Sequence, residues 1–244
     1  RIFDELSVNP GRVLGDFGKS MLIKKILMES QDELLVYGSY INKMGFIDEM
    51  KSMMSELFQY AVDRDSIDAV MDKLDKDSLV YRKMHDIRLI YERFEEYNRD
   101  GRYIVAEQLI ELLAECVDRS DMLAHSHLYL DGFTGFTPVQ MDLIRKLMTR
   151  VESMTFVFTI DASQIGFTKP KEYELFRLTK ETVQALVRMA GDEHVDILEN
   201  VVMCQDCRPY RFEKSMELAG LEANLFRYPH DRVAGDDGDI HVVA

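Results

Sequence analysis

The sequence predicts an α/β protein. A partial parallel sheet lies within residues 125–244, after a large all-helical segment, residues 1–124. Three observations predict it. Apolar residues in the first half recur at the period of a helix with one buried face. In the second half, short β-rich runs alternate with helical patterns, the rhythm of strands joined by crossover helices. Two of those runs close on an aspartate, Asp131 and Asp161, and ligands collect at the carboxyl ends of strands in such sheets.

The elements follow in order. "KSMLIKKILMES" reads as an amphipathic helix carrying Leu22, Ile23, Ile26 and Leu27. "GFIDEMKSMMSELFQYA" sets Phe46, Ile47, Met50, Met53, Met54, Leu57, Phe58 and Ala61 on one helical face. "SLVYRKMHDIRLIYERFEEY" does the same with Val80, Met84, Ile87, Tyr91 and Phe94, and "RYIVAEQLIELLAECV" with Ala106, Leu109, Leu113 and Cys116. Polar breaks at "VDRDS" and "NRDGR" separate them, and the many methionines read as adaptable core filler. In the second half, "HLYLDGF" is a strand, and "TPVQMDLIRKLMTRV" a helix with Pro138 in its first turn. "MTFVFTID" is the next strand and "EYELFRLTKETVQALVRMA" the next helix. "VDILENVVM" reads as a third strand, "PYRFEKSMELAGLEANLF" as a further helical region and "DIHVVA" as a last strand.

Composition narrows the function classes. At 244 residues and 46% apolar, the chain can bury one large or two modest cores. No apolar run is long enough to span a membrane, and the N-terminus lacks a signal region. The chain starts at Arg1 inside an amphipathic stretch, as an excised piece of a longer protein would. Three cysteines, an odd and small number, argue for a reducing, cytoplasmic setting rather than a disulfide framework. A net charge of -14 counts against a piece that clamps DNA alone by neutralising phosphates. The nearest thing to a basic strip, "RKLMTR" at Arg145 to Arg150, reads as a solvated helix face.

"VLGDFGKS" ends like a phosphate-binding loop. The pattern requires a glycine five residues before its Gly-Lys, a place held here by Val13. "DELSVNPGR" is also a poor strand to precede such a loop, so Gly18-Lys19-Ser20 is read as the start of a helix. "MCQDCRP" holds Cys204 and Cys207, but no second pair completes a four-ligand zinc site, so ordinary thiols are expected. His125 and His127 fall just before a strand, in a loop. No Ser/His/Asp arrangement or nuclease-type carboxylate cluster is recognisable.

"HLYLDGFTGFTPVQMDLIRKLM", His127 to Met148, resembles the UvrD-type helicase pattern: a core strand, Asp-Glu, a short turn, then a "P-x-Q-x-x-L-x-x-L" helix. By that resemblance Asp131 would bind a metal ion, Mg²⁺, beside a nucleotide. Alternatively, Asp131 merely caps the following turn. The next residue, Glu in active motors, is Gly132, which cannot act as a base. "TIDASQIG" offers Asp161 and Gln164 at the spacing of the γ-phosphate sensor, or else an ordinary strand exit.

The "DGF-x-x-FTP" form resembles the AddB family, the B subunits of bacterial AddAB ATP-dependent helicase–nucleases. "GDFGKSMLIKKIL", "GFIDEMKSMMSELFQY", "ELFRLTKETVQALVRMA" and "RFEKSMELAGLEANLFRYP" are similar to that family's segments, in order, over nearly the whole chain. The resemblance implies residues 1–124 as a helical insertion and residues 125–244 as part of a RecA-like, P-loop helicase-like core. It implies a segment of a subunit that processes double-strand breaks for recombination, with fold, subunit-contact and DNA-path roles rather than catalysis. The partners implied are an AddA-type motor/nuclease subunit and DNA. ATP with Mg²⁺ and an iron–sulfur cluster are implied for the full-length parent only, and Chi recognition is associated with this portion. The alternative reading is an acidic protein-interaction module without DNA binding.

Overall fold

The computed structural model describes residues 1–99, 103–160, 170–172, 174–203, 212, 214–225, 238 and 240. Among them the chain is a helix-rich α/β protein with two small parallel sheets. It divides into two compact units, residues 1–128 with 136–155, and residues 129–135 with 156–244.

The first unit opens with a short helix α1 (Ile2–Glu5) and a two-residue strand β1 (Arg12–Val13). Helices α2 (Asp16–Glu29), α3 (Phe46–Gln59), α4 (Arg64–Met71) and α5 (Leu79–Arg99) follow. Strand β2 (Tyr103–Ile104) leads into α6 (Ala106–Cys116) and the single turn α7 (Asp121–Ala124). β1 pairs in parallel with β2, Arg12 opposite Tyr103 and Val13 opposite Ile104.

The predicted periodicities find their core here. Ile23, Ile26 and Leu27 of α2 pack with Met50, Met54 and Phe58 of α3 and with Ile90, Tyr91 and Phe94 of α5. The Phe58 ring lies 5.3 Å from Tyr91 and 5.4 Å from Phe94, in tilted contact. The polar stretch expected as a break at "VDRDS" instead starts α4. Asp63 accepts a hydrogen bond from Ser66 N at 2.9 Å, a helix N-cap, and Ile67 and Met71 reach the core. Val80, expected on the buried face of α5, is 55% exposed. It lies in the helix's first turn, and the three fully packed positions fall further along.

Two buried polar groups tie this unit together. Asp86 of α5 is fully buried, and its carboxylate accepts backbone N–H groups from Leu35, Val36 and Tyr37, each at 2.8 Å. Lys19 of α2 donates to both carboxylate oxygens of Glu107 on α6, at 2.9 and 3.1 Å, and to Ser55 Oγ of α3 at 3.3 Å.

Strand β3 (His127–Asp131), helix α8 (Pro138–Arg150) and strand β4 (Ser153–Val157) follow, and β3 pairs with β4 in the second sheet. α8 packs on α6 within the first unit. The stretch Arg145 to Arg150, read from the sequence as a solvated helix face, has its charges partnered. Arg150 donates to the Ser120 carbonyl at 3.0 Å, Lys146 pairs with Asp142 at 3.4 Å, and Arg145 also has a partner.

In the second unit, α9 (Arg177–Asp192) and α10 (Met216–Asn224) appear where helices were expected. The expected strand at "VDILENVVM" does not form: residues 195–203 have no regular structure. Leu198, Val201 and Met203 are more than four-fifths exposed, and no neighbouring strand is present among the described residues to build a ladder. β-propensity without a pairing partner does not make a strand. The expected last strand at 239–244 lies outside the described residues except for Ile240. No helix among the described residues is long and apolar enough to cross a membrane.

Candidate functional site at the end of a β-strand

Strand β3 alternates as a half-buried strand should. Leu128 and Leu130 are partly buried, whereas His127, Tyr129 and Asp131 are exposed. The predicted site residue Asp131 therefore stands at the carboxyl end of a parallel strand, with its side chain exposed. No side-chain hydrogen bond ties it to the next turn among the described residues.

Gly132 follows with φ +81°, in the left-handed region, and open space surrounds the position where a Cβ would stand. The position that the resemblance would match to the glutamate of active motors is thus one whose backbone conformation disfavours any side chain. The turn continues through Thr134, whose carbonyl accepts from Thr182 Oγ1 of α9 at 3.0 Å. That hydroxyl also lies 2.9 Å from the Leu178 carbonyl, so the tether shares its proton with an acceptor inside α9.

The "TPVQ" segment has a structural role of its own. Thr137 Oγ1 accepts from Gln140 N at 3.4 Å, while Thr137 N donates to Gln140 Oε1 at 3.0 Å. With Pro138 at the first helical position, this is a reciprocal capping box. The helicase-like "P-x-Q" spacing is accounted for by helix initiation, whatever else it does.

Asp161 and Gln164, and likewise Cys204 and Cys207, lie outside the described residues. Cys116 is a buried free thiol. His125 terminates α7 and His127 opens β3; Glu152 faces both, at 3.4 Å from His125 Nδ1 and 3.3 Å from His127 Nε2. Among the described residues no three His, Cys, Asp or Glu side chains are placed to hold a metal ion.

That arrangement bears on the Mg²⁺ implied for Asp131. One exposed carboxylate fits the way Mg²⁺ is held beside nucleotide phosphates, through one or two carboxylates with water and phosphate oxygens completing the shell. It does not fit a metal site made of protein ligands alone. When bound, Mg²⁺ would neutralise phosphate charge; Asp131 would contribute one oxygen, and Gly132 offers no side chain to activate water.

The apparent phosphate loop is absent. Asp16–Ser20 forms the first turns of α2, and the Lys19 ammonium is taken up by Glu107. A strand does precede it, contrary to expectation, but β1 is two residues long and leads through Leu14 and Gly15 directly into the helix. The buried pairing of Lys19 with Glu107 gave no periodic signal, because both are charged residues on helices otherwise read by their apolar positions.

These features define a helix-rich α/β protein built around a strand–turn–capped-helix unit. The chain belongs to the AddB N-terminal family: the family model described as "ADDB, N-terminal" matches residues 1–222. Relatives include the B subunit of the ATP-dependent helicase/deoxyribonuclease of Lachnoclostridium phytofermentans, 37% identical over the whole of this chain and 21% of that protein. The proteins of the same name from Alkaliphilus metalliredigens and Clostridium perfringens are each 28% identical, over 100% and 99% of this chain and 21% and 20% of theirs. The chain thus spans about a fifth of the length of these curated relatives.

Proposed function

We propose that this chain is the helicase-like portion of a subunit of an ATP-dependent DNA helicase–nuclease that processes double-strand breaks for recombinational repair. Its part is structural: to contribute fold, subunit contacts and a stretch of DNA path, without hydrolysing ATP. In this reading residues 125–244 belong to a RecA-like core and residues 1–124 form a helical insertion in it. Asp131 is a retained nucleotide-side position, Gln164 its companion as the γ-phosphate sensor, and an AddA-type subunit supplies the motor. ATP with Mg²⁺ and the iron–sulfur cluster belong to the full-length assembly.

The observation that carries the reading is Asp131 exposed at the end of β3 with Gly132 at φ +81° directly after it. A positioned general base contributes about 10²–10⁴ in rate, and here neither the side chain nor a backbone suited to one is present. The family match and the names of the relatives support the DNA-repair context.

The test is DNA-stimulated phosphate release by the purified chain, alongside Mn²⁺ titration followed by paramagnetic broadening. No turnover is expected, with weak Mn²⁺ broadening centred on Asp131 that Asp131→Asn abolishes. Robust turnover would overturn the non-catalytic role. Broadening unaffected by Asp131→Asn would remove Asp131 from the nucleotide side.

A further inference from the structure

A cleft of about 440 Å³ opens in the first unit between the end of α2 and the last turns of α5, within the size range of sites that hold a small organic molecule. Ile26 and Ser30 line it from the α2 side, and Tyr97 from α5. Ser30 is only 2% exposed, yet its hydroxyl makes no hydrogen bond among the described residues. A buried hydroxyl left without a partner is costly, and this one borders an open cleft from which a partner could come.

The charges around it select a cation. Glu29, Glu33 and Glu96 line the cleft against the single guanidinium of Arg93, and Lys25 reaches Glu29 at 3.9 Å. The three carboxylates outnumber these two cations. Glu29 is committed to the Tyr97 hydroxyl and to Lys25. Arg93 donates to one oxygen of each remaining glutamate, Glu33 Oε1 at 3.4 Å and Glu96 Oε2 at 3.1 Å. Glu33 Oε2 and Glu96 Oε1, at the two arms of that guanidinium, are left without a partner among the described residues. Ser30 also closes α2, whose last turn carries no basic residue to offset the partial negative charge of a helix end. A metal ion held by the protein would need several carboxylates converging, and no such group exists among the described residues. Two separate carboxylate oxygens, a hydroxyl and an apolar flank suit ammonium groups spaced along a methylene chain.

We propose that this cleft binds an aliphatic diamine or polyamine. One ammonium group pairs with Glu33 Oε2 and the other with Glu96 Oε1, the Ser30 hydroxyl accepts a further N–H, and the methylene chain lies along Ile26 and Tyr97. The site is independent of Asp131 and does not rest on the proposed helicase role.

The probes are putrescine, spermidine, butylamine as the one-ammonium control, and Mg²⁺. Binding to the full chain is measured by calorimetry and mapped by amide shifts at constant ionic strength, because salt screens exposed charges. Putrescine and spermidine are expected to bind with shifts centred on residues 26–33 and 93–97, and butylamine about tenfold or more weaker. Glu33→Gln combined with Glu96→Gln should weaken putrescine by about tenfold or more, and Ser30→Ala by about threefold. Asp48→Asn with Glu49→Gln, exposed carboxylates of α3 outside the cleft, should leave the affinity unchanged. Circular dichroism and thermal melting of each variant confirm that the fold is intact. Shifts spread over the acidic surface with no centre at the cleft, or butylamine binding as tightly as putrescine, would overturn the proposal. So would an affinity unmoved by the paired glutamine substitutions or by Ser30→Ala, or the same cleft shifts from Mg²⁺ at matched ionic strength.

Discussion

Lys19 Nζ lies 2.9 Å from Glu107 Oε2, and both side chains are only 10% exposed. The two residues are 88 positions apart, on α2 and α6, and the Ser55 hydroxyl of α3 completes the lysine's shell. A lysine that in the sequence ends an apparent nucleotide motif is instead a joint between three helices. Its charge is fully committed inside the unit, which is why no phosphate is expected there.

Breaking that joint from one side leaves a buried charge without its partner. Lys19→Met alone or Glu107→Leu alone is expected to destabilise by about 3–5 kcal/mol, and the two together to recover most of the loss. Urea denaturation of the two single variants and the pair measures this as a double-mutant cycle. A paired loss equal to the sum of the two single losses would show that the two side chains are not coupled.

Asp86 serves the loop before the 3-10 turn Tyr37–Tyr40 as an N-cap serves a helix, but from another element. Asp86→Ala takes the acceptor from three part-buried backbone N–H groups, at about 1–3 kcal/mol for each that water does not reach, so a loss of about 1–3 kcal/mol or more is expected. Asp86→Asn should recover only part of it, because one amide oxygen replaces two carboxylate oxygens. Hydrogen exchange checks the location: protection at Leu35, Val36 and Tyr37 should fall before protection in α3.

The apolar period made α2, α3, α5 and α6 legible, since a one-sided core leaves its imprint at every third or fourth residue. The same logic hid what depends on charge. Lys19, Asp86 and Glu107 are core groups that a hydropathy pattern assigns to the surface, and α4 begins at a polar stretch because its cap is an aspartate. The β3–turn–α8 unit was legible from its apolar strand run and from Pro138 in the first helical turn, whereas the Thr137–Gln140 capping box and the left-handed Gly132 emerged only in the structure. The strand expected at "VDILENVVM" was not decidable locally, because a strand needs a partner that composition does not name.

Glu5 makes the acid side of the stability curve testable. Its carboxylate accepts from Ser120 Oγ at 2.6 Å and from the backbone N of Asp121 at 2.8 Å and Met122 at 3.1 Å. Those bonds, the Ser120 hydroxyl first, hold its pKa below the usual glutamate range, with Arg150 adding to them and partial burial opposing. The folded state therefore binds this proton less readily than the unfolded chain. The contribution is complete above the ordinary glutamate pKa and is lost as pH falls through the lowered value. Thermal melts from neutral pH into acid should show wild type and Glu5→Gln converging. A constant gap between them would mean that the carboxylate's charge contributes nothing.

Gly132 gives the sharpest test of the proposed loss of catalysis. Open space around its Cβ position means that a substitution meets a backbone cost and no clash at the Cβ itself. Gly132→Ala is expected to cost about 1–2 kcal/mol, and Gly132→Asn less, because asparagine tolerates the left-handed region better. Gly132→Glu restores the chemical group of an active motor at the matching sequence position, yet the strand exit is turned for a residue without a side chain. It should therefore lose stability as the alanine variant does and gain no DNA-stimulated phosphate release. If Gly132→Glu did turn over ATP, the turn would have to be plastic enough to re-form a hydrolytic geometry. The chain would then be a motor lacking one group, not a scaffold.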